Sequence, residues 1–129
     1  MTVLIDTNIY AAFVKEKPEV IAKLRQAEHI YLSTIVIGEI ISGFRNGTRF
    51  EENRQKLESF VMNPYVSILD VTVTTADRFG RIFAQLRRRG TPIPTNDIWI
   101  AAHAFESGAE LLTLDRHFFN VDGLVLADL

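Results

Sequence analysis

Asp6, Glu39, Asp97 and Asp115 are the residues of this sequence best placed to do chemistry. In an open α/β sheet, ligands bind beyond the carboxyl ends of the strands. Two apolar runs, Val3-Leu4-Ile5 and Leu111 to Leu114, read as buried strands, and each leads into an aspartate, Asp6 and Asp115. Asp97 falls in the first turn of a predicted helix, and Glu39 is embedded in Ile37-Gly38-Glu39-Ile40-Ile41. Each acid taken singly has a structural explanation. Asp6, with Thr7 and Asn8, can cap the following helix, and Asp97 is where a helix dipole favours a carboxylate. Glu39 can pair with an arginine such as Arg45 or Arg49. Taken together, two acids at strand ends, one at a helix N-terminus and one after the second strand share one rim of the sheet. Carboxylates gathered there raise one another's pKa values unless a cation compensates them. Hard oxygen ligands select Mg²⁺ or Mn²⁺, and the reaction such a site supports is phosphodiester hydrolysis by activated water, with no protein nucleophile. Thr7, Asn8, Asn96 and Thr113 flank the acids and can orient carboxylates or metal-bound water, or serve as caps and turns.

The elements that must position these groups are legible in outline. Ile30 to Leu32 and Val66 to Leu69 read as two further strands. Pro18 to Ala27, Phe50 to Val61 and Thr74 to Arg89 read as helices, the last opening with Thr74 and Asp77 in the spacing of a capping box. The alternation predicts an α/β fold, a three-layer α/β/α sandwich on a short parallel sheet, with right-handed crossovers. Ser33 to Ser42 is ambiguous: its β-branched residues favour extending the preceding strand, whereas Ser33 or Thr34 can cap a helix. Thr91-Pro92-Ile93-Pro94 is an extended connector. A helix then begins at Thr95 or Asn96, carries Ile98, Ile100, Ala101, Ala104 and Phe105 on its apolar stripe, and stops at Gly108.

Composition narrows the function classes. A chain of 129 residues fits one domain, 1–129, with a core large enough to need no staples. There is no cysteine, so disulfides and thiolate zinc sites are excluded. No apolar run approaches the roughly 18–20 residues of a membrane span, and the N-terminus lacks the pattern of a signal peptide, so a soluble, cytoplasmic protein is expected. A net charge of −2 excludes nucleic-acid binding by bulk charge alone. Contact with phosphates must be local, and Arg87-Arg88-Arg89 offers a guanidinium ridge for it. The same triplet also suits the last turn of a helix stopped by Gly90, where cations complement the dipole.

Asp6-Thr7-Asn8 after the first strand, the isolated Glu39, Pro94-Thr95-Asn96-Asp97-Ile98-Trp99-Ile100-Ala101-Ala102 and Thr113-Leu114-Asp115-Arg116-His117-Phe118 together resemble the PIN-domain nucleases, in particular the VapC toxins of type II toxin–antitoxin systems. The resemblance covers the whole chain. It implies Mg²⁺ or Mn²⁺ held by Asp6, Glu39, Asp97 and Asp115, endoribonuclease activity on an RNA substrate, and a helix carrying Glu39. It further implies a homodimer and a hetero-oligomer with a small VapB-like antitoxin, whose C-terminal segment covers or enters the acidic groove and often supplies a basic side chain to it. DNA would be reached only through that antitoxin. Some relatives carry another acid shortly after the last aspartate, and here that stretch holds His117, which leaves a second metal site in question. His117 reads as a solvated or capping histidine in preference to a phosphate contact. Trp99, Phe118 and Phe119 read as core or dimer packing.

Two other classes compete. A phosphoryl-transfer domain of haloacid-dehalogenase or receiver type also places Asp after the first strand, but residue 8 is Asn and no lysine follows Lys56. A catalytically silent interaction module would keep the fold and not need the four acids intact.

Overall fold

The computed structural model describes residues 1–129. Its elements run β1 (Thr2–Ile5), α1 (Thr7–Val14), α2 (Pro18–Gln26), β2 (His29–Ser33), α3 (Thr34–Arg45), α4 (Phe50–Val61), β3 (Val66–Leu69), α5 (Val73–Arg89), α6 (Thr95–Ser107) and β4 (Glu110–Leu112), followed by a 3₁₀ turn at Arg116–Asn120. The four strands form one parallel sheet in the order β3-β2-β1-β4. Val3, Leu4 and Ile5 are all fully buried. Successive strand residues point to opposite faces, so helices cover both faces of β1, and the α/β/α sandwich expected from the alternation is present. One apolar cluster joins these strands to α1, α2, α3, α4, α5 and α6.

The edge beyond β4 is closed by the C-terminal segment. Leu111 N–H donates to Val125 O at 2.9 Å and Ala127 N–H to Leu111 O at 2.8 Å, which removes an open ladder that would otherwise invite pairing. β4 ends earlier than the apolar run suggested. Thr113 lies just past the ladder with its hydroxyl donated to Asp6, and Leu114 is solvent-exposed.

The ambiguous segment after β2 is helix. Ser33 is buried, and its Oγ accepts from Ile35 N–H at 3.0 Å while lying 3.0 Å from His103 Nδ1 of α6. The cap and its tertiary partner override the β preference of Ile35, Val36 and Ile37. The capping box of α5 differs from the expected Thr74/Asp77 pair: Thr72 and Thr75 form it, with Thr72 in extended conformation. The buried Thr75 hydroxyl also donates to Glu106 Oε1 at 2.7 Å, and that contact from α6 selects the frame. Asp77 instead pairs with Arg81 at 3.1 Å, one turn along. Since Glu106 near the end of α6 meets the start of α5, the two helices run antiparallel, and the Arg87–Arg89 end of α5 is carried toward the start of α6.

Candidate metal centre

The register of the sheet builds the site. Ile5 lies opposite Leu32 on one side and Leu112 on the other, so the residues leaving the three strands emerge side by side. Asp6 is the cap of α1: its Oδ1 accepts from Ile9 N–H at 3.0 Å, and its Oδ2 accepts from the Thr113 hydroxyl. The next residue, Thr7, donates from Oγ1 to Glu39 Oε1 at 2.9 Å, which brings the α3 acid to the end of β1. Neither Arg45 nor Arg49 pairs with Glu39; the Arg45 guanidinium sits over the Phe50 ring, 3.7 Å from its centre.

Asp115 accepts from His117 N–H at 2.9 Å and caps the 3₁₀ turn, while its own N–H donates to Thr113 Oγ1 at 2.9 Å. Thr113 therefore ties Asp6 to Asp115 through one hydroxyl. Asp97, in the first turn of α6, approaches from the other side. Its Oδ2 is 3.3 Å from His117 Nδ1, which in turn is 3.0 Å from Asp115 Oδ1. One donor atom from each of Asp97, Asp115 and His117 lies within 4.8 Å of the others.

Electrostatics join all four acids. Burial pushes the Asp6 carboxyl above its ordinary value; bonds from Thr113 and Ile9 oppose this, and the charges of Asp115 and Glu39 add to it. Asp97 is also raised, first by burial, with His117 pulling down and Asp115 and Glu39 pushing up. Mutual repulsion of this kind is what a divalent cation relieves. A donor set of carboxylate oxygens at a solvent-open rim fits a hard divalent ion such as Mg²⁺, which keeps several of its waters.

The flanking polar residues divide. Thr7 and Thr113 bond to the acids, whereas Asn8 and Asn96 are exposed and their side chains bond to none of them. Arg87 and Arg88 are exposed, while Arg89 pairs with Asp122 and reaches Asn120 O at 3.5 Å. Trp99 packs on Phe79 with ring centres 4.1 Å apart, and Phe118 is buried, as expected. Phe119 is 70% exposed and belongs to no core. His117, expected to be solvated or capping, is half exposed and lies two residues after Asp115, inside the turn that Asp115 caps.

A broad groove lies elsewhere, between α1, α2 and α4, and is lined by Tyr10, Phe13, Val14, Ile21, Phe60 and Tyr65 among others. It holds none of the four acids, and the chemistry argues for the acidic rim as the reactive centre. The two places are joined by α1, which is capped by Asp6 at one end and presents Tyr10, Phe13 and Val14 to the groove.

The family model described as PIN domain matches residues 3–124. The chain is similar to Ribonuclease VapC2 of Haemophilus influenzae, with 34% identity over 112 residues, 85% of this chain and 83% of that protein. It is 30% identical over 128 residues to the tRNA(fMet)-specific endonuclease VapC of Salmonella typhimurium, covering 97% and 96% of the two chains. Among solved structures, DNA-bound VapBC from Salmonella typhimurium superposes with a TM-score of 0.88 at 30% identity, covering 99% of this chain and 98% of that one. VapBC2 from Rickettsia felis, bound to a promoter DNA fragment, gives 0.88 at 27% identity, covering 100% and 99%.

Proposed function

The chain belongs to the PIN-domain family, and from that premise we propose that it is the endoribonuclease toxin of a toxin–antitoxin pair, cutting RNA with the help of a divalent metal. The observation that carries this reading is that Asp97 and Asp115 present donor atoms within 4.8 Å of one another, while Asp6 and Glu39, from separate elements, are near enough for their charges to be felt at the same rim. These four carboxylates would hold Mg²⁺ or Mn²⁺. A divalent ion in such a site lowers the pKa of the attacking water and neutralises charge on the phosphate and the leaving oxygen.

The protein's own part is positioning. Thr113 and the Ile9 amide fix the Asp6 carboxylate, and Thr7 fixes Glu39, so these two acids face the site without rotamer search. Asp97 and Asp115 are held by the start of α6 and by the 3₁₀ turn. Arg87 and Arg88, free at the end of α5, are suited to the phosphates of an RNA strand approaching that rim. No long helix of the fold is apolar enough to cross a membrane, which is compatible with work on cytoplasmic RNA.

The solved relatives are toxin–antitoxin complexes, and this supports an antitoxin partner here. The groove between α1, α2 and α4 suits an apolar segment of that partner, since aromatic side chains line it and the charges Arg25, Glu52 and Lys56 rim it. A homodimer is part of the same reading.

The test is cleavage of a total RNA pool by the chain freed of partner, with Mg²⁺, Mn²⁺ or EDTA, beside Asp97→Asn. Discrete fragments that require metal, with the rate reduced by about 10²–10³ in the variant, are expected, the scale of losing one electrostatic stabiliser. The Salmonella relative is named for tRNA(fMet), which makes tRNA the first fraction to inspect. Absence of cleavage by a folded, metal-binding wild type would overturn the nuclease reading in favour of a silent module.

A further inference from the structure

We propose that His117 supplies its Nδ1 as a ligand to the ion held by Asp97 and Asp115, and that this nitrogen makes the centre prefer a first-row transition-metal ion to Mg²⁺. The proposal rests on the metal-dependent reading of the same acids and goes beyond it in assigning a fifth ligand and a metal preference.

Three observations carry it. The first is spacing. Ligands at adjacent corners of an octahedron with bonds of about 2.1 Å lie roughly 3 Å apart. His117 Nδ1 is 3.0 Å from Asp115 Oδ1 and 3.3 Å from Asp97 Oδ2, so the nitrogen stands at a neighbouring-ligand separation from each carboxylate, and all three donors lie within 4.8 Å of one another.

The second is that the backbone from which the imidazole projects is held there by the fold. His117 lies inside the 3₁₀ turn; its N–H is bound to Asp115 Oδ1, and Asp115 is bound through its own N–H to Thr113. The following residue, Phe118, is 1% exposed and anchors the turn in the core. A surface histidine placed by chance has no such chain of constraints, and an anchored ligand is what a metal site requires.

The third is donor chemistry. Without an ion, Nδ1 must carry a hydrogen to bond a carboxylate, because an ionised carboxylate only accepts. The tautomer with hydrogen on Nε2 turns the Nδ1 lone pair to the same point, and the half-exposed ring leaves Nε2 open to water. Carboxylate and water suit Mg²⁺, but imidazole favours later first-row ions, whose affinity for nitrogen sites rises along the series from Mn²⁺. Replacing one oxygen by nitrogen therefore tilts the selectivity of an otherwise all-oxygen centre.

Mn²⁺ is the probe for the test, because it occupies oxygen and nitrogen sites alike and is visible by electron paramagnetic resonance. Purified wild type and His117→Ala are titrated with Mn²⁺, each also in competition with Mg²⁺, and the bound ion is examined by pulsed resonance for nitrogen hyperfine modulation. The expected result is nitrogen modulation in wild type and its loss in His117→Ala. The variant's Mn²⁺ affinity should fall about tenfold or more with little change for Mg²⁺. Mn²⁺ bound without nitrogen modulation, equal losses for both ions, or no Mn²⁺ binding would overturn the proposal. RNA cleavage separates it from the broader reading. Cleavage without nitrogen modulation keeps the nuclease and discards the ligand; modulation without cleavage does the reverse.

Discussion

At the scale of single residues, the site is a place where the fold works against its own charges. Asp6 and Asp97 both have carboxyl groups raised by burial and by neighbouring acids. A carboxyl raised in the folded state contributes stability that is fully present below its unfolded value, about 4, and lost as pH rises through the folded value. As pH rises above the ordinary carboxylate range, the metal-free protein therefore bears a growing cost for ionising two crowded carboxylates. In EDTA at pH 7, Asp97→Asn should raise Tm by about 3–6 °C, the shift that about 1 kcal/mol produces in a domain of this length. The gain should vanish near pH 4, and Mg²⁺ at pH 7 should stabilise wild type more than the variant. Thermal melts across that pH range check this. A variant less stable than wild type at pH 7 would mean that the favourable interaction of Asp97 with the α6 dipole outweighs the repulsion. The positions of Asp6, Asp97 and Asp115 were legible from sequence because strand ends and helix starts are local features, and Glu39 stood out as a carboxylate within an apolar run. The contacts that orient them were not: the Thr7–Glu39 bond spans 32 positions and the Thr113–Asp6 bond 107.

At the scale of elements, the limits of sequence reading have a common physical cause. The existence of α2, α4, α5 and α6 follows from apolar spacing and stop signals such as Gly90 and Gly108, whose positive φ of 68° and 74° suits glycine. Frames and ends depended on partners far along the chain. Among the threonines at 72, 74 and 75, the capping pair is the one that Glu106 can reach, and the residues after β2 turn helical because Ser33 is shared with His103. A similar distinction separates the three arginines ending α5. Arg89 is engaged with Asp122, so its charge is partly spent on the segment after the 3₁₀ turn, whereas Arg87 and Arg88 are free. If those two contact RNA phosphates, Arg87→Ala with Arg88→Ala should weaken binding of a single strand by the catalytically impaired Asp97→Asn protein. Each lost phosphate contact lowers the slope of log affinity against log salt by about 0.7. Binding isotherms at several salt concentrations check this. An unchanged slope would leave the pair with only their role at the helix end.

At the scale of the whole molecule, the proposed function assigns the chain two working surfaces that composition alone could not separate. A net charge of −2 argues against RNA binding by bulk charge, so the proposed RNA contacts are local, at the rim near the acids and at the end of α5. The groove lies along α1 away from Asp6, and its lining holds none of the four acids. A toxin needs both surfaces: one to cut and one by which a partner recognises it, and an occupant of the groove need not touch the acids to be held firmly. Substitutions in the groove should therefore uncouple partner binding from catalysis. Val14 and Tyr65 are 39% and 63% exposed on its lining, so charging them costs the core little. Val14→Glu with Tyr65→Glu should reduce capture of the co-expressed antitoxin by about tenfold or more, the scale on which a few buried anchors dominate an interface. Metal-dependent cleavage by the free chain should stay within about twofold of wild type, because surface changes remote from a site alter stability by roughly half a kcal/mol or less. Co-purification yield and the RNA assay, measured on one preparation, decide it. Undiminished capture would move the antitoxin's main anchor from the groove to the acidic rim, and a parallel loss of cleavage would mean that α1 transmits changes in its groove-facing half to Asp6 and Thr7 at its start.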